Sequence, residues 1–286
     1  MGKRLGQHFL INKDKLREIV EALDLKDGDT IIEIGPGHGE LTKQLTTNNL
    51  QLKIIAIEKD KELYEKLVNS NWKLDKNIKF ICGDILKILP ELITNYQLPI
   101  TNYKIVGNIP YYITGYLLRI LGELENKPSL IVLTIQKEVA ERVCAKVGKT
   151  NLLAASVQFW AKPEIIGYIS RKDFKPAPEV DSAIIKLKIR TVLPYREAPP
   201  DGYSGSCSGN FSEKIYSENY YRFIKILFKQ PRKTIVNNLE FRIKNLEFRA
   251  ENKEKLKEKL AEIGVEQNAR PQDLSIEQIK KLLTLF

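Results

Sequence analysis

The chain has 286 residues, 43% of them apolar, which suffices for one large core and a smaller satellite domain. Its two histidines and three scattered cysteines supply too few ligands for a clustered metal site and little basis for Ser-His-Asp or Cys-His catalysis, so no metal is expected. The net charge of +10 favours a polyanionic partner, and no apolar run reaches the roughly 18 residues of a membrane span. The excess charge is concentrated late: residues 221–260 hold 12 Lys or Arg against 5 Glu or Asp. The Met1–His8 segment lacks the apolar stretch of a secretory signal, so a cytoplasmic location is expected.

In chain order, residues 12–25 carry Leu16, Ile19, Val20 and Leu23 at helical spacing. Thr30–Ile34 is a short apolar strand, and a helix follows its glycines from Leu41. Leu52–Ile57 is a second strand ending at Glu58, and residues 60–70 form a charged helix. Ile78–Cys82, Tyr103–Gly107 and Leu130–Ile135 are further strands, and a helix is predicted over residues 137–147. Ile165–Ile169 and Ala183–Ile189 read as an antiparallel pair that extends the sheet. Strands alternating with helices predict an α/β fold with a parallel sheet covered on both faces. Ligands in such folds bind beyond the carboxyl ends of the strands. Gly35, Glu58, Asp84 and Asn108 all fall at those ends.

Two motifs carry chemistry. Glu33-Ile34-Gly35-Pro36-Gly37-His38-Gly39 joins a strand to a helix with GxGxG spacing, since Glu40 stands where a dinucleotide fingerprint requires glycine. With Glu58 placed to accept hydrogen bonds from ribose hydroxyls and Asp84 placed to accept from an adenine amine, the pattern points to S-adenosylmethionine. Asp84 also reads as a simple helix cap before Ile85. The second motif is Asn108-Ile109-Pro110-Tyr111. The Asn108 amide oxygen and the Pro110 carbonyl can accept from the two N–H groups of an adenine N6 amine, and Tyr111 can stack on the flipped base. Tyr112 reads as packing.

On these residues the chain resembles the KsgA/RsmA family of ribosomal RNA adenine dimethyltransferases. The match also includes Gly6-Gln7-His8-Phe9-Leu10, Gln136 to Arg142, Phe174-Lys175-Pro176-Ala177-Pro178-Glu179-Val180-Asp181-Ser182, and Arg232-Lys233 with Asn237-Asn238-Leu239. It departs in Pro231, which replaces the first basic residue of the late motif, and in a shorter stretch after Lys146. The resemblance implies a Rossmann-like class I methyltransferase sheet with a small all-helical C-terminal domain. It implies that His8 and Leu10 contact the cofactor along with Gly35, Gly37, Glu58, Asp84 and Asn108. It adds Phe174 to Asn108, Pro110 and Tyr111 as a ring near the target adenine. Asp181 and Ser182 are expected to fix the start of the last strand.

The implied activity is dimethylation of two adjacent adenines in a 3′-terminal hairpin of 16S small-subunit rRNA during ribosome biogenesis. The partner is that RNA within an immature particle, and the protein is expected to be a monomer. The macrolide-resistance type of 23S rRNA adenine methyltransferase shares the Asn-Ile-Pro-Tyr and Phe-x-Pro-x-Pro features and is the alternative. A non-catalytic assembly or transcription factor that keeps the fold is a third reading, disfavoured by the intact Asn108, Pro110 and Tyr111. The expected division is a catalytic domain over residues 1–190, a Ser/Gly-rich flexible linker over 191–218 and a helical RNA-binding domain over 219–286, with Arg232 and Lys233 on phosphates.

Overall fold

A computed structural model of the chain describes residues 7–47, 50–70, 72, 75–94, 102–190, 209–243 and 251–285. Two compact units emerge. The first comprises Met1–Glu141 and Ala161–Ile189, and the second comprises Arg142–Trp160 and Arg190–Phe286.

The first unit opens with a two-residue strand β1 (Phe9–Leu10) and helix α1 (Lys13–Ala22), whose Asn12 cap accepts from the amides of Asp14 and Lys15. Then come β2 (Thr30–Ile34), α2 (Glu40–Thr46), β3 (Lys53–Glu58), α3 (Lys61–Val68), β4 (Ile78–Cys82) and α4 (Ile85–Thr94). The second half runs β5 (Tyr103–Asn108), α5 (Thr114–Glu123), β6 (Leu130–Gln136) and α6 (Lys137–Val143). In the second unit α7 (Leu152–Gln158) follows, and the chain returns to the sheet with β7 (Ala161–Ile169), the short β8 (Phe174–Lys175) and β9 (Ser182–Ile189).

Seven strands form one sheet in the order β4-β3-β2-β5-β6-β9-β7. The first five are parallel, and β9 pairs antiparallel with both β6 and β7. Ile31, Ile32, Ile105, Ile131 and Val132 are fully buried in the central strands, each worth roughly 1.5–3 kcal/mol of apolar burial. Two lysines that the sheet also buries are paired: Lys104 lies 2.7 Å from Asp29, and Lys186 lies 2.6 Å from Asp24. The strand order reverses between β2 and β5, which opens a crevice beyond their carboxyl ends.

Every strand expected from the apolar runs is present, most shifted by a residue or two. The helix predicted over residues 137–147 stops at Val143. The first unit ends at Ile189, beside the expected boundary at 190, and the division differs from the expected one in an earlier segment. Arg142–Trp160 groups with the helical unit, because its contacts lie there. Gly148 and Thr150 donate backbone bonds to Gln272, Thr150 Oγ1 bonds to Leu274, and the Phe159 ring stacks on Tyr220 with centroids 4.1 Å apart. Of the predicted linker 191–218, residues 191–208 lie outside the described residues, and the remainder begins helix α8 (Gly209–Leu227). After it come α9 (Ile235–Ile243), α10 (Glu251–Glu262) and α11 (Ile276–Thr284), the last opened by a reciprocal Ser275–Gln278 cap.

Candidate active site

The β2–β5 crevice is a pocket whose lining combines both motifs. Gly35, Gly37, Glu58 and Asp84 line one part, and His8, Asn108, Pro110 and Tyr111 line another.

The glycine turn is held by Glu58. Its Oε2 accepts from the Gly37 amide at 3.0 Å and its Oε1 accepts from the Asp60 amide at 2.8 Å. Glu58 is only 3% exposed, and burial raises its carboxyl above the ordinary range, partly offset by those two donors. Each oxygen keeps a second acceptor site for a ligand hydroxyl. Gly37 is required twice over. Its φ is +62°, and a Cβ there would stand 2.8 Å from the Phe9 ring. Asp84 is the helix cap that the sequence offered, its Oδ1 accepting from the Leu86 amide at 3.0 Å at the start of α4, and its Oδ2 accepts from Lys59 Nζ at 2.8 Å, a partner the sequence did not indicate. Its partial burial would raise its pKa, but the hydrogen bonds from Lys59 and Leu86 prevail and lower it.

Asn108 ends β5, and its Nδ2 donates to the His8 carbonyl at 2.8 Å. That bond fixes the amide's orientation and leaves Oδ1 as an acceptor without a protein donor among the described residues. The Pro110 carbonyl accepts from the Ile113 amide at 3.1 Å, which leaves it one further lone pair. The Tyr111 hydroxyl bonds Ser182 Oγ at 2.7 Å, and the ring stacks against His8 at 5.9 Å between centroids. Burial raises the Tyr111 phenol above its ordinary range, so it stays protonated. His8 is anchored in turn, its Nδ1–H donating to Pro176 O at 2.8 Å. Ser182 is buried at the start of β9, and Asp181 accepts from the Arg171 amide at 3.0 Å, in keeping with the structural parts expected of them.

Two expected site residues lie elsewhere. Leu10 and Phe174 do not line the pocket; each is 3% exposed and belongs to the core cluster with Leu16, Ile19 and Ile184. The reason is strand alternation. Leu10 pairs with Phe174 across the β1–β8 ladder and Phe9 pairs with Lys175, so Leu10 and Phe174 share the inner face. Phe9 points the other way, over Gly37 and His38, and lines the pocket. Tyr112, read as packing, is instead 62% exposed and lines the pocket mouth.

Glu33 lies behind the glycine turn. Thr42 Oγ1 donates to its Oε2 at 2.7 Å, while its Oε1 has no partner. Burial pushes this carboxyl up to about 7 from 4.5, against the Thr42 bond that opposes the rise. A raised folded-state pKa gives stability that is complete below the unfolded value and is lost as pH rises. Glu33→Gln is therefore expected to flatten the pH dependence of stability between about 4.5 and 7. At pH above that window it should stabilise by on the order of 3 kcal/mol. Chemical denaturation across pH checks this; parallel curves for both proteins would refute it.

Arg232 and Lys233 are exposed in the turn between α8 and α9. Asn238 is 6% exposed and ties that turn together, donating to the carbonyls of Gln230, Lys233 and Thr234 and accepting from the Gln230 amide. Among the described residues, no helix is long and apolar enough to cross a membrane, and no group of three or more His, Cys, Asp or Glu could hold a metal ion.

A family model described as ribosomal RNA adenine dimethylase matches residues 1–284. The chain belongs to the ribosomal RNA adenine dimethylase family. It is 36% identical over 280 residues to a "Ribosomal RNA small subunit methyltransferase A" of Dehalococcoides mccartyi, covering 98% of this chain and 86% of that protein. A crystal structure of a dimethyladenosine transferase from Plasmodium falciparum superposes with a TM-score of 0.73 at 26% identity, covering 98% of this chain and 97% of that one. The 23S rRNA methyltransferase ErmE shares the fold, with a TM-score of 0.69 at 22% identity over 96% and 98% of the two chains. The family's enzymes are methyltransferases that use S-adenosylmethionine. The residues here fit that cofactor: a glycine turn that a Cβ would obstruct, a buried carboxylate at the end of β3 and a second carboxylate beyond β4.

Proposed function

We propose that this member of the family dimethylates N6 of two adjacent adenines in a 3′-terminal hairpin of small-subunit ribosomal RNA. It acts as a monomer, in the cytoplasm, on an immature ribosomal particle. The observation that carries the reading is the orientation of Asn108. With Nδ2 bonded to His8, its Oδ1 is available beside the Pro110 carbonyl and the Tyr111 ring.

An adenine N6 lone pair is delocalised into the ring and is a weak nucleophile. Hydrogen bonds from both N–H groups to Asn108 Oδ1 and Pro110 O would pull the nitrogen toward tetrahedral geometry and localise that pair. Tyr111, braced by Ser182 and His8, would hold the plane of the flipped base. S-adenosylmethionine, when bound, supplies the electrophilic methyl group. Gly35, Gly37, Glu58 and Asp84 would hold it, with Glu58 accepting from the ribose. After each transfer the cationic nitrogen releases a proton to solvent, and the one N–H left after the first methyl can still donate to one of the two acceptors during the second. The first unit is thus assigned to cofactor and base, and the second to RNA.

The small-subunit assignment rests on the small-subunit methyltransferase of Dehalococcoides mccartyi, which this chain matches over nearly its full length. Labelled methyl transfer to small- and large-subunit RNA in parallel tests it. Label in the small-subunit RNA alone supports the reading, and label in the large-subunit RNA alone refutes it.

Arg232 and Lys233 are placed on phosphates, presented by the turn that Asn238 ties. Replacing both with Ala is expected to weaken RNA binding and to reduce the log–log salt slope by roughly 0.7–0.9 for each phosphate no longer neutralised. Filter-binding titrations at several salt concentrations check this. A fall in affinity with an unchanged slope would take these residues off the phosphates.

A further inference from the structure

Tyr112 and Tyr116 are the most exposed aromatic side chains among the described residues, at 62% and 57%. They stand four residues apart in the segment that runs from the Tyr111–Ile113 turn into α5, so they share a face. The opposite face is buried through Ile113, Thr114, Leu117 and Leu118. Gly115 and Arg119 lie on the exposed side with the tyrosines. A Cβ at Gly115 would meet no atom within 4 Å. The face therefore presents a ring, bare backbone, a second ring and a guanidinium over about 10 Å of helix. Arg119 Nε is bonded to Glu123 at 2.8 Å, and both side chains remain largely exposed.

This face is continuous with the pocket. Tyr112, exposed as it is, lines the pocket together with Lys59. A base flipped into the pocket stays joined to a nucleotide on each side, and those nucleotides must leave across the rim. Aromatic rings accept the face of any base, so such a rim would position a strand without reading its sequence.

We propose that Tyr112, Gly115 and Tyr116 form a stacking strip for the nucleotide next to the target adenine, with Arg119 as its phosphate contact. The strip rests on the adenine-methylation reading and extends it to the neighbouring nucleotide. RNA is the occupant favoured here, because the strip begins at the pocket itself and the chain carries a net charge of +10.

The test uses the full chain and a short single-stranded RNA with 2-aminopurine beside one adenine. Wild type should quench the 2-aminopurine on binding. Tyr112→Ala and Tyr116→Ala should each weaken affinity roughly tenfold and reduce the quench, and Phe at either position should restore both. Gly115→Leu separates the strip from a structural role. It replaces a helical glycine whose Cβ position is open, so it should not lower the melting temperature. It should nonetheless weaken RNA binding, because the new side chain covers the bare backbone. Unchanged affinity and quench in all three variants would overturn the proposal, also where binding to intact small ribosomal particles falls, as a protein partner at this face would produce. Failure of the underlying reading looks different: RNA binding would depend on both tyrosines, yet wild type would methylate no adenine in those particles.

Discussion

Asn108→Ala is expected to lower turnover by roughly a hundredfold or more, the scale of removing a preorganised hydrogen bond to a reacting group. The missing acceptor acts on the amine as it becomes tetrahedral, so the effect should fall on kcat more than on RNA binding. The variant also loses the Nδ2 bond to the His8 carbonyl. Cofactor affinity should fall by no more than about tenfold, as one neutral hydrogen bond at the rim allows. Asn108→Asp is the sharper companion. It keeps an oxygen toward the amine but sets a carboxylate oxygen against the His8 carbonyl, so it too should be slow. Single-turnover kinetics with saturating cofactor check both variants. Turnover within twofold of wild type in Asn108→Ala would remove the residue from the chemistry.

The second large effect is expected at Glu58. Its carboxylate bonds the Gly37 and Asp60 amides while facing the pocket. Glu58→Ala should therefore lose the ribose hydrogen bonds and loosen the glycine turn together. Each charge-assisted bond is worth about 1.5–3 kcal/mol, so S-adenosylmethionine affinity should fall by two orders of magnitude or more. Glu58→Gln can still accept from one amide and one hydroxyl and should fall less. Calorimetry orders the three proteins, and Trp72, whose ring packs over Gly39 at the end of the turn, offers a fluorescence readout of turn integrity. Equal affinities in wild type and Glu58→Ala would place the ribose elsewhere.

The strand ends are legible in the sequence because the buried parallel strands are largely apolar runs, each followed closely by a polar or glycine residue. Gly35, Glu58, Asp84 and Asn108 can be placed in one crevice from that pattern alone, and the structure brings them there. What the pattern does not convey is direction within the short flanking segments. Phe9-Leu10 and Phe174-Lys175 are too short for a periodicity, so their antiparallel pairing and its alternation leave no trace in the sequence. Leu10 and Phe174 accordingly lie in the core, and Phe9 lies at the site. The Asn108–His8 bond joins residues 100 positions apart and has no local signature. Tyr112 misleads for a related reason. A tyrosine beside apolar Ile113 looks like packing until the helical phase of α5 is known. The division into units is obscured because Arg142–Trp160 departs from the sheet for the helical unit and the chain returns at Ala161.

Methylation of adenine N6 in small-subunit RNA by this pocket can be measured directly. Purified chain is incubated with S-adenosylmethionine and immature small ribosomal particles that lack the modification, and the digested RNA is analysed by mass spectrometry. N6,N6-dimethyladenosine is expected at two neighbouring positions near the 3′ end, with far less on the naked hairpin. Dimethyladenosine in large-subunit RNA, with none in the small-subunit particle, would contradict it.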